Sequence, residues 1–132
     1  MTTEVLLRWD PSWLYRDVAD TVIVDVLDNI EGFRLLLSAS KCPEAKIHVP
    51  RGTLVLYRVY DEMGLTGRAF SGLETGHCFY KLEGSPLLAE ATSMFSGARP
   101  LLLHHAVYTS DRCVDIVSTT VPIFKSLRDP DV

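Results

Sequence analysis

The sequence predicts an α+β domain: a mostly antiparallel sheet with a long N-terminal helix and a shorter second helix packed on it. Three observations carry this expectation. Apolar residues recur at helical spacing over residues 11–31, they alternate with period two through much of the chain beyond Gly32, and a second capped helical run precedes a C-terminal hairpin. With 132 residues, 47% of them hydrophobic, the chain suits a single domain spanning 1–132 with a real core.

Val5, Leu7 and Trp9 alternate with Leu6 and Arg8, which predicts a short strand. Asp10-Pro11 then supplies an N-cap and a proline at the first helical position. From there Leu14, Tyr15, Val18, Ala19, Val22, Ile23, Val26, Leu27 and Ile30 form a broad stripe, so the spacing predicts a helix from Pro11 to Glu31 stopped by Gly32. The β-branched run Val22-Ile23-Val24 would also suit a strand, but the period over five turns outweighs it.

After Gly32 the period becomes two. Phe33, Leu35, Leu37 and Ala39 share one strand face, Lys41-Cys42-Pro43-Glu44 is a turn, and Ile47–Val49 is a short strand closed by Pro50. Thr53–Asp61 is apolar on both faces, the pattern of a central, doubly covered strand. Glycine recurs at Gly64, Gly67, Gly72 and Gly76, so that stretch is mainly loop, and Cys78–Leu82 is a strand. Ser85-Pro86 opens the second helix, with Leu87, Leu88, Ala91 and Phe95 inward and Gly97 as its end. Leu101–Tyr108 and Cys113–Val121 form a hairpin about the Thr109–Arg112 turn. Pro122 ends the pairing, and a short disordered tail is expected from about residue 126.

Composition narrows the function classes. No stretch approaches the ~18 uncharged apolar residues of a membrane span, and Thr2, Thr3 and Glu4 do not resemble the start of a signal peptide. Three cysteines without metal-type spacing fit a reducing, intracellular setting such as the cytoplasm. A net charge of −4 argues against direct nucleic-acid binding or attraction to an anionic membrane. The HxH, HExxH, CxxC, GxGxxG and Walker patterns are absent, so no metal and no cofactor is expected.

Two constellations remain. If Tyr108 pairs with Cys113, His104 shares a strand face with Ala106, Cys113, Asp115 and Val117, with Asp115 on its diagonal; a slip of one residue would substitute His105. An imidazole oriented by a carboxylate suits general acid–base work, with His77 beyond the glycine loop as a further member and Cys113 or Cys78 as an alternative nucleophile. The plainer account is a histidine satisfied by a structural carboxylate. Arg58, in a buried-looking strand, must either reach the strand end or pair with a carboxylate, and Arg68 in the glycine loop offers a bidentate anion contact beside the ordinary reading of a flexible connection.

The second constellation is electrostatic. Met1–Gly32 holds seven acidic residues against Arg8 and Arg16. On the expected helix Asp17, Asp20, Asp28 and Glu31 fall along one exposed stripe without helical ion pairs, and the last two sit where the helix dipole disfavours them. That arrangement predicts a recognition surface for a basic protein partner, beside the simpler account of a solvated face. The sequence therefore favours a small soluble interaction module, an inhibitor or adaptor and a possible homo-oligomer. The alternative is a small single-domain enzyme or ligand-binding protein with a His/Asp site on the C-terminal hairpin.

Overall fold

A computed structural model describes residues 4–12, 15, 20–61, 70–71, 77–95 and 100–127. The strands are β1 (Glu4–Arg8), β2 (Val22–Asn29), β3 (Gly32–Ser38), β4 (Ala45–Val49), β5 (Leu54–Tyr60), β6 (Phe70–Ser71), β7 (Phe79–Glu83), β8 (Leu103–Tyr108), β9 (Cys113–Ser118) and β10 (Ile123–Ser126), with one helix, α1 (Pro86–Ser93). They build a six-stranded sheet in the order β5-β9-β8-β7-β1-β6 and a four-stranded sheet in the order β10-β4-β3-β2. Pairing is antiparallel except where β6 runs beside β1. Among the described residues the architecture is a β-sandwich with one short helix, which corrects the α+β expectation.

The largest correction is the N-terminal helix. Residues 22–29 form a strand hydrogen-bonded to β3, and the chain then turns at Ile30-Glu31. The reason lies in a bulge between Ile23 and Asp25. An extra residue in one strand shifts its phase, so Ile23 and Val26, three residues apart, both pack into the core. Three-residue spacing imitates a helix, while the β-branched residues favour the strand. Gly32 follows with a φ of +105°, a conformation natural to glycine. It is also crowded, because a Cβ there would lie 2.8 Å from the Val49 carbonyl oxygen.

The sheets bury a shared core. Phe33, Leu35, Leu37, Ala45, Ile47 and Val49 from β3 and β4 meet Phe79, Val107, Val114 and Ile116 from β7, β8 and β9. Tyr15 joins them and donates a hydrogen bond to the Pro43 carbonyl at 2.7 Å. The opposite face of the six-stranded sheet carries two smaller apolar clusters. One contains Leu6, Tyr80, Leu82, Ala106, Tyr108 and Cys113. The other brings Leu87 and Ala91 of α1 onto Leu102 and Val117.

Other expectations fare variously. β5 is covered on both faces, by the shared core through Leu54 and Tyr57 and by the helix cluster through Val55 and Leu56. It nevertheless lies at a sheet edge rather than in the centre. α1 begins as its sequence indicates: Ser85 is the N-cap, its hydroxyl accepts from Leu88 N–H at 3.0 Å, and Pro86 opens the helix. The hairpin closes with Tyr108 opposite Cys113. Beyond Pro122 the chain re-enters as β10 along β4, a strand the sequence reading missed. Residues 128–132 of the expected tail, the Gly97 helix stop and most of the glycine loop lie outside the described residues.

Candidate functional site

Strand register assembles the site on the helix-covered face of the six-stranded sheet. Asp115 of β9 stands opposite Ala106 on β8 and Arg58 on β5. Side chains two positions along a neighbouring strand share that face. His104 and Tyr108 therefore flank Asp115 from β8, while Tyr60 flanks it from β5. Ala106 is small enough to let both β8 side chains reach over it. Leu82 lies beside His104 on β7 and Val117 on β9, so the polar group sits at the seam between the two apolar clusters.

Among the described residues, His104, Tyr108, Tyr60 and Arg58 converge on Asp115. His104 Nε2 lies 2.8 Å from Oδ1 and the Tyr108 hydroxyl 2.7 Å from the same oxygen. The Tyr60 hydroxyl and Arg58 Nε reach Oδ2 at 2.7 and 2.8 Å. Burial by itself would raise the Asp115 carboxyl. The hydrogen bond and charge of His104, then the hydrogen bonds of Arg58 and Tyr108, outweigh burial and hold it well below the usual carboxylate range. Asp115 is therefore an ionised, acceptor-only group although it is fully buried.

That ionisation orders the remaining protons. Facing a carboxylate, His104 Nε2 must carry hydrogen, so whenever the ring sheds its second proton Nδ1 becomes the acceptor. Nδ1 lies 2.7 Å from Ser85 Oγ, and in that form of the ring the serine hydroxyl donates to it. Ser85 Oγ in turn accepts the Leu88 amide. The result is a polarised chain from the N-terminus of α1 through Ser85 and His104 to Asp115. Ser85 is only 3% exposed, and it forms part of the wall of a cleft of about 550 Å³ together with Gly84, Pro86, Leu88, Ala89 and Thr92.

Of the residues singled out from sequence, His104, Asp115 and Arg58 come together. His77 does not join them. It is buried against Phe79 and Tyr80, and neither ring nitrogen has a hydrogen-bond partner among the described residues. His105 points to the other face, against Trp9 with ring centroids 4.7 Å apart. Burial pushes the Cys78 thiol up, away from a ready nucleophile. Ser85 was missed as a functional residue, since its N-cap signature explains the helix start and its approach to His104 arises only when α1 docks on the sheet. Among the described residues no group of three or more His, Cys, Asp or Glu is placed to hold a metal, and no helix is long and apolar enough to cross a membrane.

The acidic residues do not line a helix face. Asp20 is exposed, and a hydrogen bond from the Ser40 side chain, then one from the Ser40 amide at 3.0 Å, lower its pKa. Asp28 lies on β2, where its charge and a hydrogen bond add to burial in raising the Tyr57 hydroxyl. Glu31, in the β2–β3 turn, pairs with Arg34 at 3.1 Å. Asp17 and Arg68 lie outside the described residues. Comparison of the chain with protein-family models, curated proteins and solved structures finds no match to any of them.

Proposed function

We propose that this chain is a small enzyme whose working group is the Ser85 hydroxyl, with His104 as its general base and Asp115 as the positioning residue. The observation that carries the reading is the unbroken Ser85–His104–Asp115 hydrogen-bonded chain beside the cleft. A base one hydrogen bond from a hydroxyl, itself oriented by a third group, is the arrangement that activates a nucleophile. The Leu88 amide and the positive end of α1 favour negative charge on Ser85 Oγ as its proton leaves. A neutral alkyl fluorophosphonate tests this: wild type should gain one phosphonyl group on Ser85, found by intact mass and peptide mapping. Ser85→Ala and His104→Gln, checked for folding by circular dichroism, should not be labelled. A folded wild type that stays unlabelled would make the chain of bonds purely structural.

A second reading keeps the acid-rich segment as a partner surface, moved from a helix to a sheet edge. β2 ends the four-stranded sheet, and Asp25, Asp28 and, just beyond its ends, Asp20 and Glu31 are exposed. An extended basic segment of a partner would add to this edge as a further strand, with charge selecting it. Under this reading Asp25→Lys/Asp28→Lys loses capture of a basic protein that wild type retains at low salt. Equal capture by both would remove the reading.

A further inference from the structure

We infer that the cleft beside Ser85 admits the neutral, apolar acyl group of an ester, and that Ser85 takes up this acyl group as a covalent intermediate. The inference rests on the proposed role of Ser85 and adds the class of substrate. Its basis is the chemistry of the wall. Gly84, Ser85, Pro86, Leu88, Ala89 and Thr92 include no ionisable side chain. Ser85, Leu88 and Thr92 follow one another at three- and four-residue spacing, so they line one side of α1. From Ser85 to Thr92 the trough runs roughly 10 Å at the helical rise of ~1.5 Å per residue. An apolar chain lying along it exchanges water for Leu88, Ala89 and Pro86. A carboxylate there would lose hydration with no cation among the described residues of the wall to replace it.

The chemistry closes on groups already in place. Ser85 Oγ attacks the carbonyl carbon of the ester while its proton passes to His104 Nδ1, and Asp115 stabilises the imidazolium that results. The oxyanion forms beside the positive end of α1. Collapse breaks the bond to the leaving oxygen, which takes the proton from His104 and departs as the alcohol. Water then repeats the sequence: it gives a proton to His104, attacks the acyl carbon and releases the carboxylic acid as Ser85 regains its hydrogen. One ester and one water become one acid and one alcohol.

The test uses the full chain with two probes, neutral p-nitrophenyl hexanoate and the anionic p-nitrophenyl hydrogen succinate. The hexanoate should give a burst of p-nitrophenolate and a hexanoyl adduct on Ser85 by peptide mass, with kcat/KM at least about tenfold above the succinate. Thr92→Lys, which places a cation at the far end of the trough, should move that ratio toward the succinate. Equal rates on both esters with Ser85 acylated, and a ratio unmoved by Thr92→Lys, would overturn the neutral-acyl inference and leave the Ser85 reading standing. Fluorophosphonate labelling of Ser85 without acylation by either ester would likewise overturn only the ester inference. Absence of both labels on folded protein would overturn the two together.

Discussion

Acidification should weaken this fold well before its carboxylates titrate, and His105 is the reason. Its ring is 2% exposed, packs on Trp9, and lacks a hydrogen-bond partner at Nδ1 among the described residues. Lys81 is its direct cross-strand neighbour. Burial first, then the charges of Lys81 and His104, push its pKa down to about 4. The unfolded chain restores a value near ~6.5. Between those values the unfolded state binds a proton that the folded state refuses, so stability rises with pH across that window. It is full above the unfolded value and lost as pH falls toward the folded one. From about pH 7.5 to about pH 5 the loss from this residue is roughly 2 kcal/mol, a large share of the ~5–15 kcal/mol typical of a domain. Urea unfolding followed by tryptophan fluorescence at several pH values, for wild type and His105→Gln, reads it directly. The variant should show a shallower decline over that range, whatever its stability at neutral pH. Parallel declines would show that His105 protonates freely inside the fold and would refute the reasoning.

Further expectations concern other sites. Asp115→Ala leaves the buried His104 and Tyr108 without their acceptor, and urea midpoints should report a loss of about 3–5 kcal/mol. In Asp115→Asn the acid limb of stability should flatten below about pH 4, because a carboxylate held ionised contributes stability above its unfolded pKa that is lost as pH falls. Gly32→Ala should cost about 1–3 kcal/mol in thermal unfolding. Gly52→Ala should cost less, since Gly52 shares a positive φ but has nothing within 4 Å of an added Cβ. Ile47→Ala, at a position with no exposure, should lower stability by about 2–5 kcal/mol in the same assay.

Part of the site was legible because it is local. The Thr109–Arg112 turn links two strands close in sequence, and the period of two then determines which residues share a face. Pairing Tyr108 with Cys113 was enough to put His104 diagonal to Asp115, and the structure has that register. Arg58 was recognised only as a charge in need of a partner, because the pairing of β5 with β9 spans distant parts of the chain. Ser85 was harder still: no periodicity reports how a helix docks on a sheet, and its capping role already explained its identity. The N-terminal helix failed for a different reason. Val24 interrupts an otherwise helical stripe, and the same residue lies at the bulge of β2. Asp28 and Glu31 were misfits at a helix C-terminus; in the strand and its turn they meet Tyr57 and Arg34 instead. β10 escaped notice because Pro122 reads equally well as an end or as the passage between sheets.

The order of strands also imposes an order of assembly. β2, β3 and β4 form a meander of neighbours that can pair as soon as residues 22–49 exist. β1, although first in the chain, has no antiparallel partner until β7 has been made, and β4 lacks its outer neighbour until β10 arrives. During synthesis one sheet therefore waits on β7 and the strands after it and the other on β10, with strand edges open in the interval. Such distant pairings slow the search for the native state and lengthen exposure to wrong strand partners. A chain cut after Pro122 would keep Ser85, His104 and Asp115 yet leave one side of β4 unpaired, making the final strand a condition of clean folding rather than of chemistry.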